Sequence, residues 1–407
     1  MDPKRIQNYA HLIASVGGNV KAGDEVVIRA ELDCPDFVCM VAEECYKLGA
    51  EKVNIDWTHQ PFSKIDITYK SEDILGRLEE YEICRLKYRR DRLPVMLYLI
   101  SEDPDGLKGI DQNKYAAALQ ERYKIIKPIR DAMDSRYKWC IAAVPGIKWA
   151  KKVFPHDDEK SAVEKLWEAI LFTSRVDDDP VLAWKKHNDE LQYRCDYLNA
   201  LQIESLEYND PNGTHLQIGM IPDALFMGGG EYTLSGEFFN PNIPSEEIFI
   251  TPMRGKADGI VYSSRPLSYN GELIENFSIR FENGKAVQVQ AEKNEELLQR
   301  MITMDEGASY LGECALVPYN SPIRESNLLF YNTLFDENAA CHLALGEGFA
   351  NCIKNYDKYT LQECREKGIN SSLIHEDFMI GTATLNISAH TRDGKCVPIF
   401  KNGNWAF

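Results

Sequence analysis

A chain of 407 residues with 44% hydrophobic and 27% charged side chains has ordinary water-soluble composition, and its length calls for two domains of about 200 residues each. The formal charge of −17 excludes a non-specific nucleic-acid surface, because neutralising phosphates needs an excess of Lys and Arg. No apolar run approaches the roughly 18 residues that span a bilayer, and the amino end, MDPKRIQNYAHLIASVGGNV, lacks the apolar core and cleavage site of a signal peptide, so a cytoplasmic protein with no membrane partner is expected.

In chain order, EVVIRA (25–30), an apolar helical stretch CPDFVCMVAEECYKLGA and KVNIDW (52–57) read as a strand, helix and strand, with Gly49 closing the helix. PVMLYLIS (94–101) and KWCIAAVPG (138–146) follow as strands, separated by the helical NKYAAALQERYKIIKPIRDAM. Strands alternating with helices predict a mostly parallel sheet flanked by helices. The turn after the first strand, AELDCPD, has no GxGxxG, which argues against a dinucleotide site. Helices at EKSAVEKLWEAILFT and PVLAWKKHNDELQYRCDYLNALQ end this α/β amino-terminal domain, placed at 1–200.

From 201 to 407 the texture changes to strands joined by tight turns, at Asn212-Gly213, Asn283-Gly284 and Asp393-Gly394. One helix, NEELLQRMITMD, interrupts them. An α+β, mainly antiparallel carboxy-terminal domain is expected. GGG at 228–230 leads into EYTLSGE rather than a helix and reads as a flexible loop, not a phosphate cradle. The eleven cysteines include no CxxC pair, so they read as reduced structural thiols and not as a thiolate zinc site.

Four segments of the second domain set acids or histidines among apolar neighbours: NPNIPSEEIFITP with Glu246 and Glu247, YLGECALVPY with Glu313, LFDENAACHLALGEGF with His342, and LIHEDFMIG with His375 and Asp377. In a strand, His375 and Asp377 share one face while Glu376 points to the other. Burying such groups unpaired costs roughly 2–7 kcal/mol for a neutral polar group and more for an ion. Internal hydrogen bonds or ion pairs would satisfy them. So would a divalent ion, for which carboxylate and imidazole are the ligands of zinc, cobalt or manganese.

The ordered series IPSEEIFITP, RPLSYNGELIENFSIRFENGKAV, LGECALVPYNSPI, LFYNTLFDENAACHLALG and HEDFMIG resembles the motifs of the thermophilic-type metallo-aminopeptidases, the family of aminopeptidase T, aminopeptidase S and PepS. The resemblance implies a cytosolic, homodimeric exopeptidase acting on peptides, with two divalent ions in the carboxy-terminal domain. By motif it implies Glu247, Glu313, His342, His375 and Asp377 as metal ligands, with Glu246 a neighbour of Glu247; no general base is assigned, and Glu246, beside a ligand, is a candidate for it. Glu313 is the expected bridging and catalytic carboxylate. Hydrolysis would then follow the two-metal scheme, with ions about 3.5–4 Å apart activating a water and polarising the scissile carbonyl.

One position departs from the family. Seven residues after the motif histidine, where the family has tyrosine, stands Phe349. Phenylalanine has no hydroxyl to ligate a metal or donate to an oxyanion. A catalytically weak or inactive homologue that serves as a binding or scaffold protein is therefore the rival reading, and hydrolysis of a non-peptide amide a third. Tyr356, seven residues further on, is the candidate to replace the missing hydroxyl.

Overall fold

The computed structural model describes residues 2–407. By contacts the chain divides into two compact units, Met1–His187 with Gly230–Ser245, and Asn188–Gly229 with Glu246–Phe407. Helix Pro180–Ala200 therefore starts in the first unit and ends in the second, and residues 230–245 return to the first.

In the first unit, strands β1 (Glu25–Glu31), β2 (Lys52–Thr58), β3 (Val95–Ile100) and β4 (Trp139–Ala143) pair in parallel in the order β4-β3-β1-β2, with the short Asn242–Ile243 beside β4. The helix Pro35–Lys47 links β1 to β2: Pro35 starts it, Asp36 lies in its first turn and Lys47 in its last. Gly49 follows at φ +98°, a left-handed position that favours glycine. Between β2 and β3 lie three helices that hydrophobic spacing did not reveal, Gln60–Tyr69, Glu72–Gly76 and Glu80–Arg92. The last of these buries no residue and is begun by a reciprocal Glu79/Glu82 cap, so it has no apolar stripe to read.

In the second unit a large antiparallel sheet is built from the expected hairpins. Ile203–Asn209 pairs with His215–Met220, Glu272–Glu282 with Lys285–Lys293, and Asn386–Thr391 with Cys396–Lys401. Asn283 and Gly284 both take positive φ, as a two-residue turn of the hairpin hand requires. A second antiparallel sheet carries the chemistry. Its strands are β5 (Met227–Gly228), β6 (Ile248–Ile250), β7 (Leu311–Leu316), β8 (His342–Gly346) and β9 (His375–Met379), in the order β9-β8-β7-β6-β5. The fold is thus an α/β amino-terminal part with a parallel sheet and an α+β, mainly antiparallel carboxy-terminal part. The GGG stretch is not simply a loop: Met227 and Gly228 pair with Phe249 and Ile248, and a Cβ on Gly228 would lie 2.6 Å from the Glu247 carbonyl oxygen.

The two faces of the second sheet differ. Ile248, Ile250, Leu311, Cys314, Leu316, Leu343, Leu345 and Phe378 belong to the main apolar core. Phe249, Glu313, Ala315, His342, Ala344 and Asp377 alternate to the other face, as the register Phe249↔Ala315, Glu313↔Ala344, Ala315↔His342 and Ala344↔Asp377 requires. Leu311 and Glu313 are two apart yet face opposite ways. A bulge accounts for this: Leu311 pairs with Leu345 and Glu313 with the next residue, Ala344, leaving Gly312 unpaired. Without it Glu313 would point into the apolar core.

Candidate metal centre

Five side chains meet on the second face, Glu247 from the residue just before β6 and the others from β7, β8 and β9. Glu247, Glu313 and His342 offer ligand atoms that all lie within 4.8 Å of one another, and so do Glu313, His375 and Asp377. Glu313 belongs to both groups. The residues are buried, with Glu313 4% and His342 1% exposed, while His375, whose side chain is 26% exposed, is the one open to solvent. His342 Nε2 lies 3.1 Å from Glu247 Oε2, and His375 Nε2 lies 3.1 Å from Glu313 Oε2 and 3.5 Å from Asp377 Oδ1.

Each imidazole is aimed by its other nitrogen. His342 Nδ1 is 3.2 Å from the Ala340 carbonyl oxygen and His375 Nδ1 is 2.8 Å from that of Glu347. A carbonyl only accepts, so Nδ1 carries the proton and Nε2 is presented to the carboxylates, the orientation by which protein imidazoles ligate metals.

A sixth titratable group, Glu337, was not singled out from the sequence. It sits in the short 3₁₀ turn Glu337–Ala339 just before β8, is 8% exposed, and feels the negative charge of Asp377, Glu247 and Glu313. Its signal lay in DENAAC, where two acids precede an apolar run. Asn338, fully buried, donates from Nδ2 to Glu337 Oε1 at 3.3 Å and accepts the Glu246 N–H on Oδ1 at 2.6 Å. The Glu246 side chain, although buried, joins neither ligand group.

The electrostatics are those of clustered buried carboxylates whose ion-pair partners are imidazoles. Among the described residues the ion pairs of Glu247, Glu313 and Asp377 run to the two imidazoles and to no lysine or arginine. Burial pushes the Glu313 carboxyl up to about 7, held down by the His375 hydrogen bond and pushed up by Asp377 and Glu247. Burial likewise lifts Glu337 well above the carboxylate range, reinforced by Asp377, Glu247 and Glu313. For His342 burial acts downward, but the hydrogen bond to Glu247 and the surrounding carboxylates outweigh it and bring it to about 9. His375 is raised well above its ordinary value by Asp377 and Glu313 against the same burial. Asp377 Oδ1 is buried without a hydrogen-bond partner. A buried carboxylate oxygen that has only the longer ion-pair approaches of the two imidazoles, 3.5 and 4.0 Å, and no hydrogen bond fits a divalent cation.

Phe349 reaches this centre. Its ring centroid is 4.8 Å from that of His375 and 5.4 Å from that of Phe249. Tyr356 packs instead against the separate cluster of Ile221, Ile353 and Ile369. Glu376 lies on the opposite face of β9 from His375 and Asp377, and burial lifts its carboxyl to about 8. His215 and His390 form a surface network with Asn209 and Glu207 on the large sheet.

A buried set of carboxylates and imidazoles gathered by one sheet face is the equipment of a metal-dependent hydrolase. The sequence profile of the family described as thermophilic metalloprotease (M29) matches residues 2–405. Aminopeptidase AmpS of Bacillus subtilis (strain 168) is 39% identical over 99% of both chains, and aminopeptidase T of Thermus thermophilus is 36% identical over 99% of this chain and 98% of its own. The structure of wild-type AmpT from Thermus thermophilus superposes with a TM-score of 0.90 at 34% identity, covering 99% of each chain. The chain belongs to the M29 family of thermophilic metalloproteases, enzymes that hydrolyse peptide bonds with divalent metal.

Proposed function

We propose that the protein is a metal-dependent aminopeptidase that removes amino-terminal residues from peptides, with its chemistry in the carboxy-terminal domain expected over 201–407. The observation that carries this reading is the sharing of Glu313 between two ligand groups on one sheet face. Glu247, Glu313 and His342 would hold one divalent ion and Glu313, His375 and Asp377 a second, with zinc, cobalt or manganese suited to these oxygen and nitrogen donors. When bound, such ions supply Lewis acidity and an activated water.

The protein's own groups do the rest. Nδ1–H bonds to backbone carbonyls fix both imidazoles in the ligating tautomer. Glu337, which belongs to neither ligand group but is buried beside them and hydrogen-bonded to Asp377, is the carboxyl we assign to exchange a proton between the attacking water and the leaving amine. A cytoplasmic location and a homodimer are part of the same proposal; all eleven cysteines being free supports a reducing compartment. Among the described residues no helix is long and apolar enough to cross a membrane.

The test is turnover of aminoacyl 4-nitroanilides with added zinc, cobalt or manganese, abolished by chelator and restored by metal. The second reading, a silent binding protein, is favoured by the ring of Phe349 beside His375 where a hydroxyl donor is absent. Full metal occupancy with no cleavage of any aminoacyl substrate would establish it. Turnover that needs no free amino group would instead indicate a non-peptide amide.

A further inference from the structure

The sheet face that gathers the acids and imidazoles is apolar on its other half. Phe249, Ala315 and Cys352 form a buried cluster with the half-buried Met227 and Phe349 packed on it. Phe249 pairs with Ala315 on β7, two residues from Glu313, and with Met227 on β5. Phe349 closes the gap to the centre, its ring lying against His375. Hydrogen bonds tie the wall together. Thr251 Oγ1 accepts the Phe349 N–H at 2.8 Å, and the Leu225 N–H donates to the Cys352 carbonyl at 2.7 Å, tying the strand that carries Met227 to the segment after Phe349.

Partly open apolar side chains beside a set of buried carboxylates form a surface that favours an apolar group and opposes an anionic one. In an aminopeptidase the amino nitrogen and the scissile carbonyl of the terminal residue both engage the polar centre. Its side chain branches from the carbon between them, so it is the substrate group nearest the centre's walls, while the second residue's side chain lies a peptide unit further away. We propose that Met227 and Phe349, backed by the buried Phe249, form the subsite for the side chain of the amino-terminal residue and select medium to large apolar residues such as Leu, Met and Phe. This inference rests on the aminopeptidase reading.

The experiment compares the full-length metal-loaded protein on Leu-, Met-, Phe-, Ala- and Asp-4-nitroanilide. Leu is expected to exceed Ala in kcat/KM by about tenfold or more, and Asp to be the poorest. Met227→Ala and Phe349→Ala should each shrink the Leu-to-Ala ratio severalfold, and agreement between the two guards against misfolding of either. Calorimetric binding of L-leucine hydroxamate and L-alanine hydroxamate gives a readout without turnover and should show the same order. Cleavage indifferent to the first side chain overturns the subsite and leaves the aminopeptidase reading standing. A preference that follows the second residue, as in Ala-Leu against Ala-Ala, also overturns it. Leucine-selective hydroxamate binding without any cleavage overturns the aminopeptidase reading and keeps the subsite.

Discussion

The side-chain oxygen of Asn338 accepts the backbone N–H of Glu246 at 2.6 Å while its nitrogen donates to the carboxylate of Glu337. One buried amide thereby sets the position of the chain entering Glu247 and the direction of Glu337. Asn338→Ala removes both hydrogen bonds, an expected cost of about 1–3 kcal/mol in stability. Because it also loosens the support of Glu247, a proposed ligand, metal affinity should fall about 10- to 100-fold. Thermal unfolding and metal titration check the two effects, and an unaltered metal affinity would reduce Asn338 to a purely structural amide.

Glu313 and Asp377 should differ in what their loss removes. Glu313 belongs to both ligand groups and Asp377 to one. After gel filtration, Glu313→Gln is expected to retain neither ion and Asp377→Asn to retain about one, as read by elemental analysis. Equal metal content in the two variants would contradict the sharing of Glu313.

Phe349→Tyr restores a hydroxyl beside His375 with little change in shape. An oxyanion donor is typically worth about a hundredfold in rate or more. We expect kcat to rise at least about tenfold with KM little changed. No rise would show that the missing hydroxyl does not limit the rate.

The chelator-treated protein should lose stability as pH rises. Glu313 at about 7 and His342 at about 9 both stand above their ordinary values of 4.5 and 6.5, so the folded chain binds more protons than the unfolded chain between each pair of values. The contribution of Glu313 is full below pH 4.5 and is lost by about pH 7, and that of His342 is full below 6.5 and lost by about 9. A melting temperature falling from pH 5 to 9 is the expected result. Added zinc should recover more of it at the alkaline end, because binding requires the imidazoles neutral. A Tm that climbs across this range would contradict the arrangement.

Gly312→Ala probes the bulge. A Cβ there would stand 2.2 Å from the Glu347 carbonyl oxygen, and a backbone atom cannot swing aside as a side chain does. The variant should lower the melting temperature and weaken metal binding together, since Glu347 also receives the His375 imidazole on its carbonyl.

Much of this was legible in the sequence, for identifiable reasons. Apolar runs bounded by turn residues gave β1 to β4, and alternation in LIHEDFMIG placed His375 and Asp377 on one face, as in the observed strand. Glu80–Arg92 escaped because its helix buries nothing. Glu337 escaped because its burial comes from tertiary packing around a single 3₁₀ turn, with no periodicity to expose it. The family tyrosine position was readable, but that Phe349 adjoins His375 while Tyr356 lies in another cluster was not, since seven residues of irregular chain define no direction.

The unpaired glycine ahead of Glu313 has a consequence for anyone wishing to transplant this centre. Side chains copied onto a regular ladder with the same spacing would send the shared carboxylate to the wrong side of the sheet. The transferable unit is a backbone irregularity together with the strands that tolerate it, and a graft that ignores it would deliver the five residues without their convergence.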